Sequence, residues 1–123
     1  MSQGYVLKVL VLGQNPSKRG GTSKSLMRLA EWIEFLELKQ FSFANVYDAY
    51  EVETASADPA LNDYVRSYDR VIALGQTASR TLSAMGVSHF RMPHPSGLNR
   101  QLNDQKFVHE KLEACKNYLR GDI

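Results

Sequence analysis

The chain contains four short apolar runs, each flanked by polar or turn-forming residues. They cover residues 6–12, 41–46, 71–74 and 87–92. Runs of this length, rich in Val, Ile, Leu and Phe, are typical of buried β-strands. The pattern therefore predicts four strands.

The segments between these runs show helical periodicity. Residue 22 or 23 can cap a first helix, Pro59 opens a second that ends near Arg66, and the turn at Gly75 leads into a third over residues 77–84. Asp104 is a candidate cap for the last helix. The apolar face of the first helix contains Leu26, Leu29, Ala30, Ile33 and Leu36, and that of the last helix contains Val108, Leu112, Cys115 and Leu119.

Alternating strands and helices predict a parallel sheet with right-handed crossovers and helices on both faces. The expected fold is a three-layer α/β/α sandwich with a four-stranded parallel sheet and a central first strand. The 123 residues suffice for one domain with its own core, and no linker or repeat divides residues 1–123.

Charge is distributed unevenly although the net charge is only +2. Residues 1–30 and 70–103 contain no Asp or Glu, whereas residues 31–64 contain eight acids and the single cation Lys39. A molecule with such polarity can present a positive edge to phosphate groups. Ordinary solvated surface charge is the competing explanation.

Cys115 is the single cysteine, so no internal disulfide is possible, and no Cys/His cluster has metal-site spacing. We expect no metal or cofactor and a reducing cytoplasmic location. The amino terminus has no long apolar segment, so we expect neither secretion nor a membrane partner.

Two polar loops are the strongest functional signals. The sequence GQNPS at residues 13–17 follows the first predicted strand, and HPSGLNR at residues 94–100 follows the fourth. The carboxyl ends of parallel strands share one edge of the sheet, where α/β proteins usually bind ligands. The two loops are therefore expected at one site.

These two motifs, with the strand at residues 41–46 and the segment VIALGQTA at residues 71–78, resemble the uracil-DNA glycosylase superfamily. The resemblance implies strand order 2-1-3-4 and a monofunctional glycosylase that hydrolyses the N-glycosidic bond of uracil, or a related damaged or modified pyrimidine, in DNA. The product is an abasic site. We expect a monomer that flips a pyrimidine out of single- or double-stranded DNA, in a nucleoid-associated bacterial or phage setting.

By this resemblance, Asn15 and His94 are the catalytic residues. Asn15 would position the attacking water, and a His94 ring N–H would stabilise the anion that develops on the departing base. Asn15 stands where the most active branch has Asp, which predicts a slower enzyme. As alternatives, Asn15 can serve as an Asx-turn residue and His94 as a turn-bridging side chain.

The same resemblance assigns Gly13, Gln14, Ser17 and Asn45 to substrate binding. Ser17 replaces a Tyr that excludes 5-methyl groups, and the Asn45 amide would read the uracil edge unless it only caps a turn. Leu98 corresponds to the wedge that fills the space of the flipped nucleotide, with a core leucine as the alternative. The expected DNA contacts are Pro16, Lys18, Arg19, Pro95, Ser96, Gly97, Leu98 and Arg100.

The chain also departs from the superfamily. It is short, and Ser25 to Arg28 stand where many members have an aromatic residue that stacks on the base; Phe41, Phe43 or Tyr47 are the possible substitutes. Two other functions remain open. One is a noncatalytic DNA- or base-binding module, and the other is a flavodoxin-like nucleotide or nucleoside enzyme with a phosphate at GGTS, residues 20–23.

Overall fold

A computed structural model describes residues 7–13, 24–45, 56–93 and 104–120. Within these ranges the chain forms four strands and four helices. In chain order they are β1 (Val9–Gly13), α1 (Lys24–Leu36), β2 (Phe41–Asn45), α2 (Pro59–Arg66), β3 (Arg70–Leu74), α3 (Gln76–Ala84), β4 (Phe90–Met92) and α4 (Gln105–Arg120).

The four strands form one parallel sheet in the order β2-β1-β3-β4. The order 2-1-3-4 is therefore confirmed. Gly13 lies opposite Asn45, and Leu74 lies opposite Met92. The strands consequently end at nearly the same level, which makes the carboxyl edge of the sheet a continuous rim.

Alternating residues of β1 supply the cores on the two faces of the sheet. Val9 and Val11 belong to a buried cluster that includes residues of α1 and α4. Leu10 and Leu12 belong to a second cluster, which contains Val65 of α2 together with residues of α3. This period-two alternation places two helices on each face. The fold is thus the expected three-layer sandwich.

The first and last helices differ in how well periodicity predicted their buried faces. Ala30 is exposed, and Trp32, at 4% exposure, joins Leu29 and Leu36 in the core. These three positions fall on one side of a 3.6-residue helix, whereas Ala30 lies some 200° away from Trp32. In α4 the predicted Leu112, Cys115 and Leu119 are buried and Val108 is half-buried; Tyr118 joins them.

Two acidic side chains cap helices. Asp58 precedes Pro59 and accepts a hydrogen bond from the Ala60 N–H at 2.9 Å. The Asp104 carboxylate accepts from the Phe107 N–H at 3.1 Å, which confirms the predicted cap of α4. The proposed caps of α1, residues 22 and 23, lie outside the described residues.

The fourth strand is shorter than predicted. It begins at Phe90, and residues 87–89 are not part of the sheet. The Val87 N–H donates to the Leu82 carbonyl at 2.9 Å, while the His89 ring bonds the Val87 carbonyl at 2.9 Å. These local bonds occupy backbone groups that a strand would offer to β3. The apolar run at 87–92 therefore predicted a longer strand than the structure contains.

The other boundary differences are small. β1 begins at Val9 rather than residue 6 and includes Gly13, β3 gains Arg70, and α3 begins one residue early at Gln76. None of the helices in the described part of the chain is long and apolar enough to cross a membrane.

Candidate functional site

The carboxyl edge of the sheet holds the two described members of the expected site. Gly13 is the last residue of β1 and is buried, and Asn45 ends β2 directly opposite it. The other expected residues lie outside the described residues, as does the Asn45 side chain. They are Gln14, Asn15, Pro16, Ser17, Lys18 and Arg19 after β1, and His94, Pro95, Ser96, Gly97, Leu98 and Arg100 after β4.

The two motifs leave the sheet from strands on either side of β3. The first continues at residue 14 directly after Gly13, and the second begins at residue 94 after the buried Pro93. Because β3 separates β1 from β4, their ends are two interstrand spacings apart, about 10 Å. That separation is comparable to the size of one nucleotide.

Gly75 lies at the carboxyl edge of the sheet, directly after β3 and between the strands that lead into the two motifs. Its N–H donates to the Met92 carbonyl at 2.9 Å, and its backbone has φ 91° and ψ 179°. Residues with a Cβ avoid this region, so the turn from β3 into α3 requires glycine here. The sequence analysis treated Gly75 only as a turn; its position between the motif-bearing strands makes it part of the site.

Helix orientation brings helix amino termini to this rim. All four helices follow a strand, so their amino termini lie at the carboxyl edge, and none has an acid in its first turn. Helix amino termini carry partial positive charge and free N–H groups, which favour anions. The carboxylates of Asp58 and Asp104, which cap α2 and α4, offset part of this positive charge.

Acidic side chains of α1 lie toward the opposite edge of the sheet. Glu31 and Glu34 are exposed, and Glu34 is ten residues beyond Lys24, about 15 Å along the helix axis. Arg91 is exposed on β4, one residue before Met92 and hence near the rim. Glu31, Glu34 and Arg91 thus follow the charge polarity expected from the sequence, whereas Asp58 and Asp104 stand at helix amino termini on the rim side.

Arg70 and Arg80 differ in their availability to a ligand. Arg80 is exposed, whereas the Arg70 Nε donates to the Tyr118 carbonyl at 3.3 Å and its Nη1 donates to the Asp69 carbonyl at 3.0 Å. Arg70 also lies at the start of β3, away from the rim. Arg70 is thus a structural residue, although it belongs to the acid-free stretch 70–103.

Two of the aromatic candidates lie on β2. Phe41 and Phe43 are 37% and 49% exposed, and their rings make an edge-to-face contact with centroids 5.7 Å apart. Phe43 lies two residues before Asn45, so it is nearer to the rim than Phe41. Tyr47 lies outside the described residues. Phe43 is therefore the better placed of the two for contact with a base.

The described residues offer neither a metal cluster nor a reactive thiol. Within ranges 7–13, 24–45, 56–93 and 104–120, no three His, Cys, Asp or Glu side chains converge as a metal site requires. Burial raises the pKa of the Cys115 thiol from 9.0 to about 12, which keeps it protonated at neutral pH.

Comparison with known proteins adds no relative to this picture. The chain matches no protein-family model, no curated protein and no solved structure.

Proposed function

We propose that this protein is a monofunctional DNA glycosylase that removes uracil, or a related damaged or modified pyrimidine, and leaves an abasic site. One observation carries the proposal. The strand order 2-1-3-4, which the motif resemblance implies, is present, and the strands that lead into both motifs end at the same edge of the sheet. Ligands of parallel α/β sheets bind at this edge.

The reaction separates charge, and the two motifs supply complementary groups for it. As the N-glycosidic bond breaks, negative charge grows on the departing base and positive charge grows on the sugar. A neutral His94 ring donates an N–H to the base oxygen, a hydrogen bond that strengthens in the transition state. Asn15 orients the water that attacks the sugar carbon, and this water supplies the hydroxyl of the abasic product.

The site recognises the pyrimidine through polar side chains and leaves space beside the 5-position of its ring. Gln14 and the Asn45 amide offer donors and acceptors to the Watson–Crick edge of a pyrimidine. Ser17 leaves space beside the 5-position, so the site admits 5-substituted pyrimidines as well as uracil. Phe43, two residues before Asn45 on β2 and exposed, is the aromatic residue that would stack on the base.

DNA binding relies on helix amino termini at the rim and on cations of the two motif loops. The amino termini of α1, α3 and α4 favour phosphates, and the cations Lys18, Arg19 and Arg100 belong to the two motif loops. Leu98 fills the space that the flipped nucleotide leaves, which offsets part of the unstacking cost. Pro16, Pro95, Ser96 and Gly97 complete the loops that contact the backbone.

Base release can be tested with oligonucleotides that contain uracil, 5-hydroxymethyluracil or a mismatched thymine, both single-stranded and in duplexes. Alkaline cleavage of the abasic strand reports the product. We expect product from at least one substrate, and a loss of at least about 100-fold in Asn15→Ala and in His94→Ala, the usual scale for a positioned acid–base or oxyanion group.

Matched controls come from α4. Asn117→Ala and His109→Ala remove the same side-chain types at exposed positions outside both motif loops, so both should retain wild-type activity. DNA binding without product from any substrate would contradict the glycosylase and favour the noncatalytic module. Binding of FMN or a nucleoside, without selective DNA binding, would favour the flavodoxin-like alternative.

A further inference from the structure

The two outer strands of the sheet differ in length, charge and exposed apolar surface. β4 has three residues and exposes the charged side chain of Arg91. β2 has five residues, FSFAN, with neither charge nor proline, and its Phe41 and Phe43 are exposed. Among the described residues, no strand lies outside either of them. Natural sheets protect their edges with short strands, charges or proline. β4 has such protection, and β2 does not.

The hydrogen-bond register fixes which backbone groups of β2 point outward. The Val9 N–H of β1 donates to the Gln40 carbonyl at 3.2 Å, and Val9 lies opposite Phe41. Successive residues of a strand direct their N–H and C=O groups to opposite sides, so residues 42 and 44, like Gln40, bond β1. The backbone groups of Phe41, Phe43 and Asn45 therefore point away from β1.

The two faces of β2 differ in how they are covered. On the face toward α2, the Tyr64 and Tyr68 hydroxyls bond the Ser42 hydroxyl. On the opposite face, Phe41 and Phe43 stand beside their β1 partners in the cluster that includes α1, yet both rings are exposed. Exposed aromatic rings next to outward backbone groups are typical of an edge that pairs with another strand.

We propose that β2 pairs in antiparallel orientation with β2 of a second copy of this chain, about a two-fold axis at Phe43. This register is self-complementary. Phe43 lies opposite the partner subunit's Phe43, and Phe41 lies opposite the partner subunit's Asn45. All these positions direct their backbone groups outward, so each opposed pair can exchange two N–H···O=C bonds. The two four-stranded sheets then join into one continuous sheet.

Charge near the strand favours a second copy in this orientation. Residues 40–47 carry no charge, and the net charge of the chain is only +2, so two copies repel each other little. The exposed cation Lys39 lies four residues before Phe43. Antiparallel pairing therefore separates the two Lys39 residues by about 26 Å along the strands, whereas parallel pairing would set them side by side.

The acids of α1 do not oppose this pairing. Glu31 and Glu34 lie on the side of the helix opposite Leu36, and so face away from the sheet and its edge. Glu37 forms an ion pair with Lys116 of α4, 3.4 Å away. The acid-rich sequence after residue 30 thus leaves β2 itself neutral.

Exposed area indicates a dimer that forms only at raised concentration. A phenylalanine buries about 200 Å² in full, so the exposed fractions of Phe41 and Phe43, 37% and 49%, correspond to roughly 170 Å² per copy. Interfaces below about 1,200 Å² in total are commonly transient. The monomer expected from the motif resemblance becomes one partner in an equilibrium. Phe43 cannot stack on a base while the dimer covers it, so the two roles exclude each other.

Amide hydrogen exchange, followed by NMR, tests the register in the wild-type protein. The Phe41 and Phe43 N–H groups should exchange more slowly at millimolar than at low micromolar protein concentration, because the dimer covers them. The Ser42 and Ala44 N–H groups bond β1 and should be equally protected at both concentrations. Exchange at Phe41 and Phe43 that does not depend on concentration would overturn the proposal.

Sedimentation velocity over the same concentrations measures the dimer itself. Phe43→Pro removes an outward N–H without deleting a bond to β1, and Phe41→Lys places a charge on the edge, so both should remain monomeric with an unchanged circular dichroism spectrum. Met27→Lys is the matched control, because it replaces a 59% exposed apolar side chain on α1, and it should dimerise like wild type.

Two results of the sedimentation experiment would contradict the pairing. One is a wild-type protein that stays monomeric at every concentration, which would leave the edge to a different extended segment. The other is a Phe43→Pro variant that dimerises as readily as wild type. Neither measurement involves base release, so the dimer and the proposed glycosylase can fail separately.

Discussion

Tyr118 replaces a missing stretch of strand, and removing its hydroxyl should destabilise the sheet. β4 begins only at Phe90, opposite Ile72, so Val71 has no strand partner on that side. The Tyr118 hydroxyl fills the gap: it accepts from the Val71 N–H and donates to the Val71 carbonyl, both at 3.2 Å. Tyr118→Phe deletes these two bonds and leaves the ring in place.

The magnitude follows from burial. Tyr118 is 9% exposed and Val71 is 3% exposed, so the backbone groups are not open to bulk solvent. A net hydrogen bond contributes roughly 1 kcal/mol, and an orphaned buried donor or acceptor costs roughly 1–3 kcal/mol. We therefore expect Tyr118→Phe to lower the free energy of unfolding by about 2 kcal/mol.

Urea unfolding, followed by circular dichroism, measures this loss. With a slope of roughly 1–3 kcal/mol per molar urea, the midpoint should fall by about 1 M. Tyr64→Phe is the matched control, because Tyr64 is 40% exposed and its hydroxyl bonds the side-chain hydroxyls of Tyr68 and Ser42 rather than backbone groups of the sheet. A Tyr118→Phe variant as stable as Tyr64→Phe would refute the role assigned to the hydroxyl.

Four further changes test the packing, a cap, a thiol and a turn. Leu82→Ala removes a fully buried side chain and should cost about 3 kcal/mol in urea unfolding; a loss below 1 kcal/mol would contradict the assigned core. Asp104→Ala should cost about 1 kcal/mol in the same assay, whereas Asp104→Asn should retain most of the stability, because it keeps an acceptor for the Phe107 N–H. Burial raises the pKa of the Cys115 thiol from 9.0 to about 12. The neutral buried thiol therefore contributes its full stabilisation of the fold below pH 9, and this contribution is lost as the pH rises toward 12. Wild type should consequently lose more stability than Cys115→Ala between pH 8 and 11. Gly75→Ala should lower the thermal midpoint by several degrees, since φ 91° and ψ 179° cost a residue with a Cβ about 1–3 kcal/mol, and an unchanged midpoint would contradict this backbone assignment.

Much of the fold was predictable because its signals are local and strong. The apolar run before GQNPS, the proline at the start of α2 and the carboxylate at Asp104 each act within a few residues. Alternation of strands and helices then predicts parallel pairing. The strand order was not derivable from periodicity and came from the motif resemblance.

The errors have a common physical origin in tertiary contacts. The sequence of residues 87–89 is typical of a strand. In the structure, however, the Val87 N–H bonds Leu82 and the Val87 carbonyl bonds the His89 ring, so these backbone groups are not available for strand pairing. Trp32 and Tyr118 were not assigned to the core, although both are buried. The side chains of Ser79 and His89 form a hydrogen bond because α3 returns along the sheet toward the start of β4. No local sequence pattern reveals this contact.

For the candidate site, the sequence predicts which strands carry the motifs and which edge they share. Gly13 and the Asn45 backbone lie at that edge, opposite each other. The contribution of Gly75 was not predictable as part of the site, because it depends on β3 lying between β1 and β4. The roles of Asn15 and His94 remain predictions.

The most direct test of the proposed activity is the amount of free base released in a single turnover. Enzyme in excess over single-stranded and duplex oligonucleotides that contain uracil, 5-hydroxymethyluracil or a mismatched thymine should release the free base from at least one of them, measured by mass spectrometry, in step with the appearance of abasic strand. His94→Ala should release it at least about 100-fold more slowly, and His109→Ala should match wild type. Release at equal rates by wild type and His94→Ala would contradict the role assigned to His94, and no free base from any of these substrates, despite stable DNA binding, would contradict the assignment of this protein as a DNA glycosylase.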